Sequence, residues 1–306
     1  MKIRHYRVVA IVFMLVLLMQ LPSMATAEQV DSDNISRLCI APTGRMLPSG
    51  TVNMAIGGAF ASQGGKEYLG LFSVGLGGVA EFEISTAHIV TNVLDASEAI
   101  STTALKFTVF KPKEGSKIPH AMVALRSNRW SEVEGSGSAL AGPADANEDI
   151  TGVDFDTHLT SLYLSLTSVL SQSYTVHAGA VWHDVRTKNL KYSGREDRPS
   201  DTKNALIGFY GGVEHRLNEN TISMFEFGEK PKIEFSDDMR EITVKQIWHG
   251  VAGVRFFLTP YAAIDAGIRY RNDYSGLADA EIVMGLNLGL NILDEIRKKR
   301  QQKLDE

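Results

Sequence analysis

Apolar and polar residues alternate along most of the chain between residues 51 and 291. The repeating unit is a stretch of about ten residues, apolar at every second position and bounded by turn residues. A period of two is that of a β-strand with two unlike faces. The last stretch shows it best, since Ile282, Met284 and Leu286 alternate with Val283 and Gly285. The pattern predicts about twelve strands, near residues 51–61, 67–76, 79–89, 101–110, 120–130, 157–168, 174–185, 203–215, 221–228, 244–257, 261–271 and 278–291.

The connections between these strands distinguish a membrane barrel from a soluble sandwich, because both contain strands with one apolar face. Short connections alternate with long polar ones: 77–78, 169–173, 216–220 and 258–260 are short, whereas 131–156, 186–202 and 228–243 are long. Short periplasmic turns opposite long outer loops are typical of an outer-membrane barrel. We therefore predict an all-β fold, a closed antiparallel transmembrane β-barrel of about twelve strands. Residues 111–119 fit least well, because they are long for a periplasmic turn.

The N-terminus has the pattern of a secretion signal. Basic Lys2, Arg4 and Arg7 precede an apolar run over residues 8–21, and a small-residue cleavage site ends at Ala27. No later stretch has the roughly twenty apolar residues that a spanning helix needs. We therefore expect a location in the cell outer membrane. The predicted parts are a signal peptide over 1–27, a periplasmic N-terminal segment over 28–50, the barrel over 51–291 and a periplasmic helix over 292–306.

The C-terminal residues change period. Ile292, Leu293, Ile296 and Leu304 fall on one helical stripe, and opposite charges stand four residues apart. The sequence thus predicts a short amphipathic C-terminal helix after the barrel. Three roles stay open for it: it plugs the periplasmic mouth, contacts a periplasmic or envelope protein, or forms a frayed charged tail.

Composition excludes several classes of function. The formal net charge of -5 includes three basic signal residues, so the mature chain is still more acidic, and we expect no nucleic-acid partner. The single cysteine, Cys39, forms no internal disulfide. His177 and His183 share a strand face but stand too far apart to chelate a metal. No zinc, P-loop or nucleophile-elbow motif appears, so we expect no cofactor, no metal and no catalytic residues.

If the apolar faces contact lipid, the opposite faces place charges of both signs in the lumen. The candidate lumen-lining residues are Glu81, Glu83, Lys106, Arg126, Glu214, Glu226, His249, Arg255, Asp265, Arg269 and Glu281. They either pair across strands in a closed core or line a water-filled passage. Arg255, Arg269 and Arg271 on two adjacent strands also suggest a basic stripe of the kind that favours anions, with Asp265 close enough to neutralise part of it.

Five short motifs carry a family resemblance. They are residues 42–50 (PTGRMLPSG), 79–84 (VAEFEI), 104–107 (ALKF), 211–217 (GGVEHRL) and 253–260 (GVRFFLTP). They resemble segments of a family of bacterial outer-membrane barrels that includes the YjbH-like proteins associated with exopolysaccharide secretion. The resemblance extends over most of the mature chain, and it implies a barrel in the outer membrane without catalytic residues.

The leading hypothesis is a nonenzymatic outer-membrane barrel in contact with outer-membrane lipid. It acts either as a narrow channel or as a structural component of an envelope export assembly. One alternative is a lipid-acting enzyme with a serine and a histidine on the outer surface; His88 and His215 fall on that side, but no serine is placed beside either. The other alternative is a soluble periplasmic β-sandwich that binds ligands.

Overall fold

The computed structural model describes residues 35–60, 66–91, 98–112, 118–136, 152–193, 201–235, 241–293 and 296. The signal peptide predicted over 1–27 lies outside these residues. Within them the chain forms one sheet of β1 (Thr51–Phe60), β2 (Lys66–Leu76), β3 (Ala80–Thr91), β4 (Glu98–Phe110), β5 (His120–Asn128), β6 (Ser131–Ser136), β7 (Gly152–Val169), β8 (Tyr174–Ser193), β9 (Thr202–Asn218), β10 (Thr221–Phe235), β11 (Ile242–Thr259), β12 (Ala262–Arg271) and β13 (Glu281–Asn291).

The sheet closes on itself. Neighbouring strands around the ring are antiparallel, and β1 pairs with β13 from Thr51↔Asn291 to Phe60↔Ile282. β5 and β6 lie end to end as two parts of one interrupted strand, because both pair with β7. The ring therefore has twelve strand positions, and the prediction of a closed antiparallel barrel of twelve strands is confirmed.

The two faces of the wall differ as the alternation predicts. On β13, Ile282 and Met284 lie outward and are exposed, whereas Glu281 and Asn287 lie inward and are buried. Aromatic side chains are also exposed on the outer surface, among them Phe60, Trp130, Trp182, Phe227, Trp248, Phe256 and Tyr261. A closed barrel satisfies the backbone groups of its wall internally, and this one presents apolar side chains outward, as an outer-membrane β-barrel does. The protein accordingly belongs in the outer membrane.

Short turns and long connections lie at opposite ends of the barrel. The turns 77–79, 170–173, 219–220 and 260–261 share one end with the start of β1 and the end of β13. Gly77 and Gly78 have φ angles of 69° and 68°, a left-handed backbone that favours glycine. Short turns face the periplasm in outer-membrane barrels, so we call this the periplasmic end and the opposite one the outer end.

Several strands extend further at the outer end than predicted. β7 begins at Gly152, β8 continues to Ser193, β10 continues to Phe235, and residues 131–136 form β6. Much of the sequence expected in loops at 131–156, 186–202 and 228–243 is therefore strand. The expectation was wrong because strict alternation marks strands with one lipid face, whereas these extensions pack against one another above the lipid-facing wall.

The outer halves of β10 and β11 lean away from the wall. β10 pairs with β9 only as far as Gly228↔Tyr210 and then meets β3 in parallel at Lys232↔Val90. β11 stays paired with β10, so the hairpin crosses the outer mouth. Apolar side chains on and beneath it form what we call the outer core: Ile89, Ile100, Val133, Val153, Phe155, Leu159, Val185, Leu190, Ile233 and Phe235.

The departure of β10 leaves a seam between β9 and β10 in the outer half of the wall. The Phe209 N–H donates to the Glu229 carboxylate at 2.8 Å. The Gln246 amide donates to the Ile207 carbonyl and to Glu229, each at 3.0 Å. Two side chains thus replace ladder bonds that β10 would otherwise supply, and they cap the free edge of β9.

The C-terminal helix stays a prediction. Of residues 292–306 the structure describes only Ile292, Leu293 and Ile296, and so it does not support a helix there. Among the described parts of the chain, no helix has the length and apolar character needed to cross a membrane.

Candidate functional site

Residues 35–48 lie inside the barrel, and we call them the plug. They form a tight hairpin in which the Leu38 N–H donates to the Ala41 carbonyl at 3.0 Å. The Thr43 N–H and hydroxyl both donate to the Ser36 carbonyl, at 3.1 and 2.9 Å. Three hydrogen bonds within the plug therefore close the hairpin on itself.

The plug enters and leaves at the periplasmic end. Its first residue, Ile35, packs near the β11–β12 turn beside Phe257, and its last turn leads through Gly50 into β1. Leu38 and Leu47 are completely buried. The sequence predicts a periplasmic segment over residues 28–50, whereas the structure places residues 35–48 of that segment in the lumen.

Glu226 holds the tip of the hairpin. Its two carboxylate oxygens accept the Ile40 N–H at 2.9 Å and the Ala41 N–H at 3.1 Å. Glu226 is fully buried, and the His249 ring lies 3.6 Å from its carboxylate. Hydrogen bonds to an ionised acceptor are the stronger kind, so this carboxylate is a main anchor of the plug.

A second anchor forms on β11, β12 and β13. Arg255 makes two hydrogen bonds to Asp265, at 2.7 and 2.9 Å, and donates to the carbonyl of Leu38 at 3.1 Å. Asn287 links the pair to the plug, because it donates to Asp265 at 3.0 Å and accepts from Arg37 at 2.8 Å. The plug thus satisfies part of the Arg255 guanidinium directly, and Asp265 is linked to the plug through Asn287.

A third anchor lies on β3 and β4. Lys106 contacts Glu81 at 2.6 Å and donates to the Ser36 hydroxyl at 3.0 Å. Glu81 also accepts from the Ser36 hydroxyl at 2.8 Å and from the Leu47 N–H at 3.3 Å. Lys106 continues the network to Glu83 at 3.5 Å.

The fourth anchor is near the periplasmic turns of β7, β8 and β9. The Gly44 N–H donates to the Thr167 hydroxyl at 2.7 Å, and that hydroxyl contacts the His177 ring at 2.8 Å. Arg45 donates to Glu214 at 2.6 Å, with His177 at 3.6 Å from the same carboxylate. Wall groups on several sides of the lumen therefore hold the plug.

Above the plug, a separate set of charges fills the space beside the outer core. Glu67 is its centre and lies 2.6 Å from Arg269, 3.3 Å from Lys230 and 3.4 Å from Arg271. Glu281 pairs with Arg269 from the other side. We call this set the charged lobe: Glu67, Lys230, Lys232, Glu234, Arg269, Arg271, Asp273 and Glu281.

Asp273 closes the charged lobe from the connection between β12 and β13. It accepts from Arg271 at 2.9 Å and from Lys232 at 3.1 Å. Burial alone would raise the pKa of Asp273, but the hydrogen bonds and charges of these two partners lower that pKa below its ordinary value.

The structure brings the predicted lumen-lining residues together in the interior. Glu81, Glu83, Lys106, Glu214, Glu226, His249, Arg255, Asp265, Arg269 and Glu281 are all buried. Arg126 is partly exposed and contacts Glu83 at 2.6 Å. Sequence reasoning missed Ser36, Arg37, Arg45, Glu67, Thr167 and Asn287, of which all but Glu67 connect the plug to the wall.

The suggested basic stripe is not free to bind anions. Arg255 is paired with Asp265, Arg269 with Glu67 and Glu281, and Arg271 with Asp273. Each guanidinium is thus matched by a carboxylate, which the spacing along single strands did not reveal.

Three histidines in the described part of the chain lie in structural contacts. His88, expected on the lipid side, is 3.9 Å from Glu67 in the interior, because β3 bends inward to meet β10. His215 stacks on Tyr174 at 4.3 Å. Ser161 contacts His183 at 2.8 Å, but both are buried, and the other His183 nitrogen has no hydrogen-bond partner among the described residues. The described residues also hold no cluster of three or more possible metal ligands.

Comparison with known proteins gives similarity of shape alone. No protein-family model and no curated protein matches the sequence. Among solved structures, the translocator domain of the autotransporter NalP from Neisseria meningitidis has a TM-score of 0.48 and 9% identity, covering 78% of this chain and 86% of that one. The NanC porin has a TM-score of 0.47 and 8% identity, covering 78% of this chain and 100% of that one. The Ralstonia pickettii toluene transporter TbuX has a TM-score of 0.40 and 7% identity, covering 82% and 89%.

Proposed function

We propose that this protein is a narrow outer-membrane channel gated from the periplasmic side by the plug. The observation that carries the proposal is the way the plug is held. Among the described residues, every hydrogen bond between residues 36–47 and the wall involves a side chain. The wall itself is held mainly by backbone ladders between neighbouring strands, so the plug can undock without breaking the barrel.

The interior supports a polar route rather than an apolar one. Once the plug leaves, it exposes carboxylates, guanidinium groups, a lysine, an asparagine and a threonine, all of which water hydrates well. It also exposes the apolar wall side chains that pack against Ile35 and Cys39, among them Met224 and Val251, so the route is lined by both kinds of group with the charges on several sides. The outer core would expose large apolar side chains if it separated. The route therefore continues outward through the charged lobe, beside the hairpin of β10 and β11.

Planar-bilayer recording tests the proposal. The informative variant lacks residues 35–47 and keeps Pro48 to Gly50 as the lead into β1. The full mature protein should be closed most of the time, whereas the plug-deletion variant should carry a steady current. Removal of residues 294–306 is the matched control, because it leaves every plug contact described above intact, and it should behave like the full protein. A folded deletion variant that carries no current would overturn the channel.

A second candidate function is structural, and the outer core favours it. The outer core seals part of the outer mouth with apolar side chains, as a barrel that transports nothing would require. In that role the protein would be a component of an envelope export assembly, in keeping with the resemblance to YjbH-like barrels, and the C-terminal helix would contact a periplasmic or envelope partner. A closed deletion variant that copurifies with an envelope protein through residues 292–306 would support this role.

A further inference from the structure

The charges around the plug are unequal in number. Five wall carboxylates contact the plug or belong to the networks joined to it: Glu81, Glu83, Glu214, Glu226 and Asp265. Three wall cations belong to the same networks: Lys106, Arg126 and Arg255. With the histidines neutral, the wall at this level has two more negative groups than positive ones.

The plug supplies the two missing positive charges. Arg45 lies 2.6 Å from Glu214, and Arg37 is linked through Asn287 to Asp265. The plug residues from 35 to 48 include no carboxylate. The docked plug therefore neutralises the lower lumen, and an undocked plug takes both positive charges with it.

The charged lobe does not alter this balance. Its carboxylates are Glu67, Glu234, Asp273 and Glu281, and its cations are Lys230, Lys232, Arg269 and Arg271. These four carboxylates and four cations balance, and the more exposed Lys245 also pairs with Glu234, so the charged lobe adds no negative excess. Among these two sets of described residues, the negative excess therefore lies at the level of the plug.

We propose that the open passage conducts cations in preference to anions, and that the carboxylates released by Arg37 and Arg45 set this preference. The inference rests on the proposed channel function. Rings of carboxylates are a common basis of cation selectivity, because they raise the local concentration of the opposite charge in a narrow aqueous space. The sequence hypothesis of an anion-favouring stripe gives the opposite sign, so the two can be told apart.

The reversal potential of the plug-deletion variant in a potassium chloride gradient tests this inference. The expected reversal potential is displaced toward the potassium equilibrium potential. Glu214→Gln and Glu226→Gln together, in the same deletion background, should remove most of that displacement, because the wall charges then balance. Glu219→Gln is the matched control, since Glu219 lies exposed in the periplasmic turn between β9 and β10, and it should leave the displacement unchanged.

The outcomes separate this inference from the channel itself. A deletion variant without current contradicts the proposed function. A variant that conducts with a reversal potential near zero, or one displaced toward chloride, leaves the channel intact and overturns the selectivity inference. A cation preference that survives the double substitution would also overturn it, because the preference would then arise elsewhere.

Discussion

The plug should be measurably loosened by a single substitution, Glu226→Gln. The native carboxylate accepts the N–H groups of Ile40 and Ala41 at the tip of the hairpin. The amide keeps one acceptor oxygen and turns an NH2 group toward the other N–H, so one charge-assisted hydrogen bond is lost and the second becomes neutral. Hydrogen bonds to charged groups contribute about 1.5–3 kcal/mol and neutral ones about 0.5–1.5 kcal/mol. The docked state should therefore lose roughly 2.5–4.5 kcal/mol.

The single cysteine provides the assay. Cys39 lies in the plug, is free, and is only 7% exposed, so a thiol reagent reaches it when the plug undocks. A loss of roughly 2.5–4.5 kcal/mol raises the undocked population about 70- to 2,000-fold. The labelling rate of Cys39 by a water-soluble maleimide should rise by the same factor in Glu226→Gln.

The control is Glu281→Gln, which removes a buried carboxylate of the charged lobe that pairs with Arg269 and not with the plug. This variant should label at the rate of the unmodified protein. Equal rates in Glu226→Gln and the unmodified protein would refute the reasoning, as would rapid labelling in both, because the plug would then not be held at its tip by this carboxylate.

Four further results are expected. Gly75→Ala should also speed Cys39 labelling, because its methyl group would lie 2.7 Å from the Leu47 carbonyl oxygen; Gly285→Ala, with nothing nearer than 3.8 Å, should not. Phe155→Ala should lower the free energy of unfolding by about 3–5 kcal/mol in denaturant titrations, whereas the outward Phe209→Ala should change it little, and equal losses would contradict the outer core. Leu286→Arg on the lipid face should lower the free energy of unfolding in liposomes by about 2–4 kcal/mol, and Leu290→Arg, nearer the periplasmic end, by about 0–1 kcal/mol. Equal losses would argue against a membrane midplane at Leu286. Because the pKa of Asp273 is lowered in the folded protein, the ion pairs of Asp273 stabilise the fold fully above the ordinary value of 3.8, and this stabilisation is lost as the pH falls below 3.8. The difference in thermal midpoint between the unmodified protein and Asp273→Asn should therefore shrink as the pH falls through that range. A difference that grows would contradict the pairing.

The wall was predictable because its signal is local and repeated. Each strand that crosses lipid must turn apolar side chains outward at every second position, so residues such as Ile282 and Met284 identify both the strand and its faces. The inward position of charges such as Glu226 and Arg255 followed from the same alternation. Twelve strands and sorted turns then led to a closed ring.

The plug was not predictable, because its hairpin is held by contacts that no periodicity records. Glu226 meets Ile40, and Asn287 meets Arg37, across distances in sequence that only the closed barrel brings together. The outer core was not predictable for a related reason. Val133, Leu190 and Phe235 are scattered in segments with polar neighbours, and only the inward lean of β10 gathers them.

The direct test of the plug as a gate is to record current through the full mature protein, without substitutions, while a bulky water-soluble maleimide added on the periplasmic side reacts with Cys39. A modified plug cannot return to a site where Cys39 is 7% exposed. Each modification should therefore produce a lasting step to the open level, and the trace should become steady once labelling is complete. Complete labelling of Cys39 with no change in current would contradict the account, because the plug would then move without opening a path.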